Sequence, residues 1–185
     1  MLITKNYRTD QEIIQRFLDA LGGGLAVLSS NKNARPGFFI FAHTFIQEFI
    51  EGSFFKKEEL LIQALVDNGF PAEDGPVDAL RAEQAKSREA AEHMLNASKG
   101  WQDGDEEARG EVGWAASDYT STLRQHLDRL KTRIFPLLEQ NMSPEDEHKI
   151  SEGLNVIAFE NSQKGDTDKY VKLVESLEDE LSGWK

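Results

Sequence analysis

The chain has 185 residues, 21 Lys and Arg against 33 Asp and Glu, and a formal charge of −12 at neutral pH. That balance argues against nucleic acid and anionic membrane surfaces as partners, since both need clustered cations. The absence of Cys excludes disulfides, thiolate metal sites, Cys nucleophiles and iron–sulfur clusters together. A hydrophobic fraction of 39% with 11 Phe is enough for one domain with a full core, despite 29% charged residues. Charge appears by Lys5 and Arg8, too early for a leader peptide, and the most apolar run, 38–46, is far short of a bilayer span. A cytoplasmic location is the expectation.

Helical periodicity runs almost throughout. Thr9 with Glu12 three residues later predicts a capping box, followed by Ile13, Ile14, Phe17, Leu18 and Leu21 at helical spacing. Gly22-Gly23-Gly24 either breaks this helix or admits a closely packed neighbour, and 31–37 reads as a connection. Phe38 to Ile50 predicts a largely buried helix, Gly52-Ser53 an interruption, and Phe54 to Val66 a second helix. A loop follows at Asn68-Gly69-Phe70-Pro71 and Asp74-Gly75-Pro76, then a third core helix from Val77 to Ser98. Gly100 to Gly110 reads as a hinge before a long helix, 111–139, that Pro136 kinks or ends. Ser143-Pro144 predicts an N-cap with Pro at the first helical position, and Thr167 opens a last helix ending near Ser182.

The expected fold is all-α: an up-and-down four-helix bundle with short flanking helices at both ends. The expected organisation is one domain, 1–185, with an N-terminal flanking helix in 1–33, the core bundle in 34–140 and C-terminal helices in 141–185. No Ser-His-Asp set has a local signature, and no phosphate-cradling glycine loop follows a strand. Of four histidines, His93 and His148 stand among charges and read as solvated. His43 and His126 lie in apolar stretches at positions that the periodicity turns inward.

The whole chain, and especially residues 34–182, resembles a bacterial hemerythrin-like (HHE cation-binding) domain. The resemblance rests on ordered motifs: Phe38-Phe39-Ile40-Phe41-Ala42-His43, Lys57-Glu58-Glu59, Gly75-Pro76, Leu80-Arg81-Ala82-Glu83-Gln84, and His126 on a helix ending Ile134-Phe135-Pro136-Leu137. Ser143-Pro144-Glu145-Asp146 and Lys169-Tyr170-Val171-Lys172-Leu173 complete the order.

The resemblance implies two irons inside the bundle. Their ligands would be a His from the first helix, H-x-x-x-E pairs from the second and fourth, and a His from the third. By position, His43 is kept, the second-helix pair becomes Phe54 with Glu58, and Phe55 stands beside it. The third-helix His becomes Gln84, and the fourth-helix pair becomes His126 with Leu130. His43, Glu58 and His126 remain as candidate metal ligands, with Glu59 as a substitute for Glu58. Phe54, Phe55, Gln84 and Leu130 are expected to line the vacated centre.

Three shared ligands would leave two close cations largely uncompensated in an apolar site. The resemblance therefore implies a member that has lost most di-iron ligands, with no cofactor. The expected role is non-enzymatic small-ligand binding or sensing. The alternative is a single Fe, Zn or Mn ion on His43, Glu58 and His126, with O₂ or redox chemistry. A third reading is a partner-binding module, motivated by the acidic surface and by Trp101, Trp114 and Trp184.

Overall fold

A computed structural model describes residues 2–30, 33–165 and 167–184, so Asn31 and Lys32 of the predicted connection lie outside the described residues. The described chain is helical with no strand. Helix α1 spans Leu2–Ser30. Helix α2, Pro36–Phe45, runs through a π-helical stretch, Ile46–Phe54, directly into α3, Phe55–Asp67. Helix α4 is Pro76–Gln102. Helix α5, Ala108–Arg129, passes through a second π-helical stretch, Leu130–Ile134, into α6, Phe135–Asn141. Helices α7, Pro144–Lys164, and α8, Thr167–Gly183, follow.

Four long segments therefore form the bundle: α1, the continuous 36–67 helix, α4, and the continuous 108–141 helix. Cross-contacts show that neighbours run antiparallel. Tyr7 meets Lys57 while Gly24 meets Phe38, Glu59 meets Arg81 while Phe39 meets Trp101, and Glu83 meets His126 while Gly100 meets Ala108. Helix α8 packs on α1 and α2, and α7 on α3. One core of buried residues runs from Ile3 to Trp184.

This corrects two expectations. The N-terminal segment is not a short flanking helix but a full member of the bundle, with Tyr7, Ile14, Phe17, Leu18 and Leu21 fully buried. Thr9 does not start it; its hydroxyl donates to the Lys5 carbonyl one turn back, a bond available inside a helix. The triple glycine does not break α1 but admits neighbours. A Cβ on Gly24 would lie 2.4 Å from the Phe38 ring, and one on Gly23 would lie 2.9 Å from Leu181. In turn, 38–50 and 54–66 are one helix rather than two. Gly52-Ser53 widens it into a π turn, where a Gly52 Cβ would sit 3.0 Å from the Gln47 carbonyl oxygen.

Pro136 behaves similarly. It removes one helical N–H, and the preceding turn widens so that Phe135 N–H reaches the Leu130 carbonyl. The Ser143 cap is as expected, with Asp146 completing a reciprocal capping box.

Candidate functional site

Both π stretches flank one buried polar group at the bundle centre. The first delivers Phe54, Phe55 and, one turn on, Glu58; the second begins four residues after His126. Wide turns of this kind often mark functional positions, because they re-aim the side chains that follow. Glu58 and His126 have no exposed surface. They come from segments at opposite corners of the bundle and meet across its axis.

His126 Nε2 lies 2.8 Å from each oxygen of Glu58, and Nδ1 lies 3.2 Å from Glu83 Oε1. Burial alone would lower the pKa of this imidazole, but the two carboxylates reverse that and raise it to about 9. His126 is therefore an imidazolium at neutral pH and donates from both nitrogens. Gln84 Nε2–H donates to Glu58 Oε2 at 2.7 Å. Arg129 Nε–H donates to both oxygens of Glu83, at 3.1 and 3.2 Å. Burial would raise the Glu83 pKa, but its bonds to His126 and Arg129 hold it below the usual carboxylate range. Two cations thus face two carboxylates, with no net charge left to bury.

The apolar shell is equally close. The Phe55 ring meets His126 edge-on at 5.7 Å, and the Arg88 guanidinium stands over the same ring, 5.4 Å from its centre. Phe54 packs against Phe55 and Tyr7, and Tyr7 against Phe135. The Tyr7 hydroxyl donates to the Lys57 carbonyl at 2.6 Å, and burial, followed by the nearby Glu58 charge, pushes its pKa well above the ordinary range.

Of the residues singled out from sequence, Phe54, Phe55, Glu58, Gln84, His126 and Leu130 are all buried, and Glu58, Gln84, His126 and Phe55 touch directly. His43 is not with them. It shares a continuous helix with Glu58, fifteen residues earlier, so about 22 Å separates them along the axis. His43 is half-buried there, its pKa lowered by burial and influenced by Glu92 and Lys99. The misplacement follows from counting 38–50 as its own bundle helix. Glu59 does not substitute for Glu58, since it is exposed and paired with Arg81 at 2.9 Å.

Two contributors escape the sequence reading, Tyr7 because α1 reads as a flank, and Arg129 because charged residues near a helix surface usually face water. Glu83, which the sequence offers only as an unexpected ligand, joins them. Their spacing was the available signal: Glu83 adjoins Gln84, and Arg129 follows His126 by three residues.

Phe54, Phe55, Gln84 and Leu130, expected to line the vacated centre, are buried around it and border neither of two hollows at the surface. The larger, about 1400 Å³, is a groove among α1, α4 and α5, flanked by Leu25, Lys86, His93, Arg109, Trp114 and Asp118. Trp101 and Trp184 are core residues, whereas Trp114 is 80% exposed at this groove.

Among the described residues, no three His, Asp or Glu side chains are arranged to hold a metal ion. No described helix is long and apolar enough to cross a membrane. Comparison with curated proteins and with solved structures finds no match to this chain. A family comparison does: residues 3–138 match the hemerythrin HHE cation-binding domain, a span that covers α1 through most of α6 and leaves α7 and α8 outside. With the bundle and the matched span in agreement, the chain belongs to the hemerythrin HHE cation-binding family.

Proposed function

We propose that this member has exchanged bound cations for an internal proton, and that it works as a non-enzymatic binding protein for a small ligand. The observation that carries this reading is His126, with each ring nitrogen committed to a carboxylate. The donor set does not fit a metal centre of the family's kind. Phe54, Phe55 and Leu130 have no lone pair to give, Gln84 turns its N–H toward Glu58, and both Glu58 oxygens accept from the imidazolium. Imidazolium and guanidinium provide the positive charge that metal ions would otherwise bring to the two carboxylates.

A closed centre moves ligand binding elsewhere. The groove beside Trp114 combines apolar residues such as Leu25 and Leu28, charged residues such as Lys86, Arg109 and Asp118, and an exposed indole, the mixture that small-molecule sites use. Element analysis of protein purified without chelator tests the first half of the reading. The expected result is far less than one metal per chain, with a melting temperature unchanged by EDTA, Fe(II), Zn(II) or Mn(II). One or more tightly bound ions per chain would overturn it. Restoring donors with Phe54→His, Gln84→His and Leu130→Glu together should create iron-dependent stability that the parent lacks. For the groove, a compound screen read by the fluorescence of Trp114 should give hits whose signal disappears in Trp114→Phe.

A further inference from the structure

We propose that the groove beside Trp114 selects organic ammonium ions, with the charged head between Glu89 and the Trp114 indole and an apolar tail toward Leu25 and Leu28. This rests on the reading of the groove as the ligand site and names the chemistry it accepts. The first observation is how the charges along the groove are paired. Lys86 faces Asp118 at 3.7 Å across the α4–α5 seam. Arg109 donates to the Leu28 carbonyl at 3.0 Å and stands 5.4 Å over the Trp101 ring. Both permanent cations of the groove are therefore engaged. Among the described residues, by contrast, the Glu89 and Glu106 carboxylates have no hydrogen-bond or ion-pair partner. Glu89, Glu106 and Asp118 together outnumber the two cations, in a chain that carries −12 overall. A cleft with this balance concentrates cations and repels anions.

The second observation is the position of Glu89. Two contacts bracket it, Lys86 with Asp118 and His93 with Glu111 at 3.9 Å. On α4, Glu89 lies three residues after Lys86 and four before His93. On α5, Trp114 lies four residues before Asp118 and three after Glu111. One helical turn from each bracketing contact, the carboxylate and the indole therefore share a level, and both border the same hollow of about 1400 Å³. Trp114 is 80% exposed, and among the described residues no ring or cation stacks on it. Indole is the best aromatic face for an ammonium ion, and a carboxylate accepts the ion's N–H protons in charge-assisted hydrogen bonds. Beyond Trp114, toward α1, the floor is low. A Cβ on Gly110 would meet nothing within 4 Å, and one on Gly113 would only touch Leu28, at 3.5 Å. A hydrocarbon tail can cross α5 there to reach Leu25 and Leu28, a path of roughly 10 Å, one helix width.

The test is calorimetric titration of the full chain, at neutral pH and low salt, with three probes of one length: hexylamine, hexanol and hexanoate. The hexylammonium ion should bind about three- to tenfold more tightly than hexanol, with hexanoate the weakest. Glu89→Gln and Trp114→Leu should each reduce that preference about two- to fivefold and leave hexanol binding nearly unchanged. Glu147→Gln removes the same charge from the exposed first turn of α7, outside the groove, and should change nothing. A loss in Glu147→Gln equal to that in Glu89→Gln would mean general attraction to an acidic surface and would overturn the site. Hexanol or hexanoate binding as tightly as hexylammonium would overturn the ammonium assignment and leave the groove a ligand site. So would the failure of all three probes while the compound screen still yields hits that depend on Trp114. Failure of the probes and the screen together would overturn both.

Discussion

Lys57 and Glu58 are neighbours in sequence that carry opposite charges into the interior on different sides of one helix. Lys57 turns to α1, where its ammonium donates to Asp10 at 2.7 Å and to Asn6 at 3.0 Å. Glu58 turns to the bundle axis, His126 and Gln84. Burial weighs on both pairs, with different outcomes. At Asp10 it outweighs Lys57, and the carboxyl pKa is raised. At His126 two carboxylates outweigh it, and the imidazolium pKa climbs to about 9. A single opposing charge barely compensates a buried ion, whereas an alternating set of four does.

The largest effect should come from breaking the axial pair. His126→Leu leaves Glu58 buried with Gln84 as its hydrogen-bond donor and should cost about 3–5 kcal/mol by chemical denaturation. Adding Glu58→Met to that variant should recover most of the loss, because no uncompensated charge then remains.

Next is pH. The folded pKa of His126, about 9, lies above the unfolded value near 6.5. Its stabilisation is therefore fully present below pH 6.5 and fades as pH rises through 9, about 3 kcal/mol in all. Denaturation curves between pH 6 and 10 should show this slope in the parent, and none between 7 and 9 from this group in His126→Leu.

Lys57→Met should cost less, about 1–2 kcal/mol at pH 7. The loss should shrink as pH falls into the acid range, since Asp10, its pKa raised by burial, then takes up a proton and becomes neutral. A loss that instead grows toward acid would contradict the contrast drawn between the two pairs. Smallest is Arg129→Ala. Its guanidinium is partly exposed, so its loss should cost under about 1 kcal/mol.

Much of the bundle was legible because its long segments repeat apolar residues at helical spacing, and Glu58, Gln84 and His126 were legible from the order of their motifs. The errors have one physical root. The glycines at 22–24 fulfil the packing alternative by admitting Phe38 and Leu181, whereas Gly52 reads as a chain break, yet a helix held by tertiary packing tolerates it as a π turn. Splitting the 36–67 helix at Gly52 produced an apparent extra bundle member. That in turn moved His43 to the centre and removed Tyr7 from it. The ionic pairing of Glu83 and Arg129 depends on a neighbouring helix, which local spacing does not encode.

The packing of α8 also sets an order of assembly. Tyr170 packs on Phe45 and Phe49, Arg16 grips Glu178 with two hydrogen bonds, and Trp184 lies on Phe38 at 5.0 Å. All these partners belong to the first two segments of the bundle, synthesised over about a hundred residues before α8. A nascent chain therefore carries an uncovered aromatic strip along its first two segments until α8 has been made. The strip is covered only when α8 closes over it.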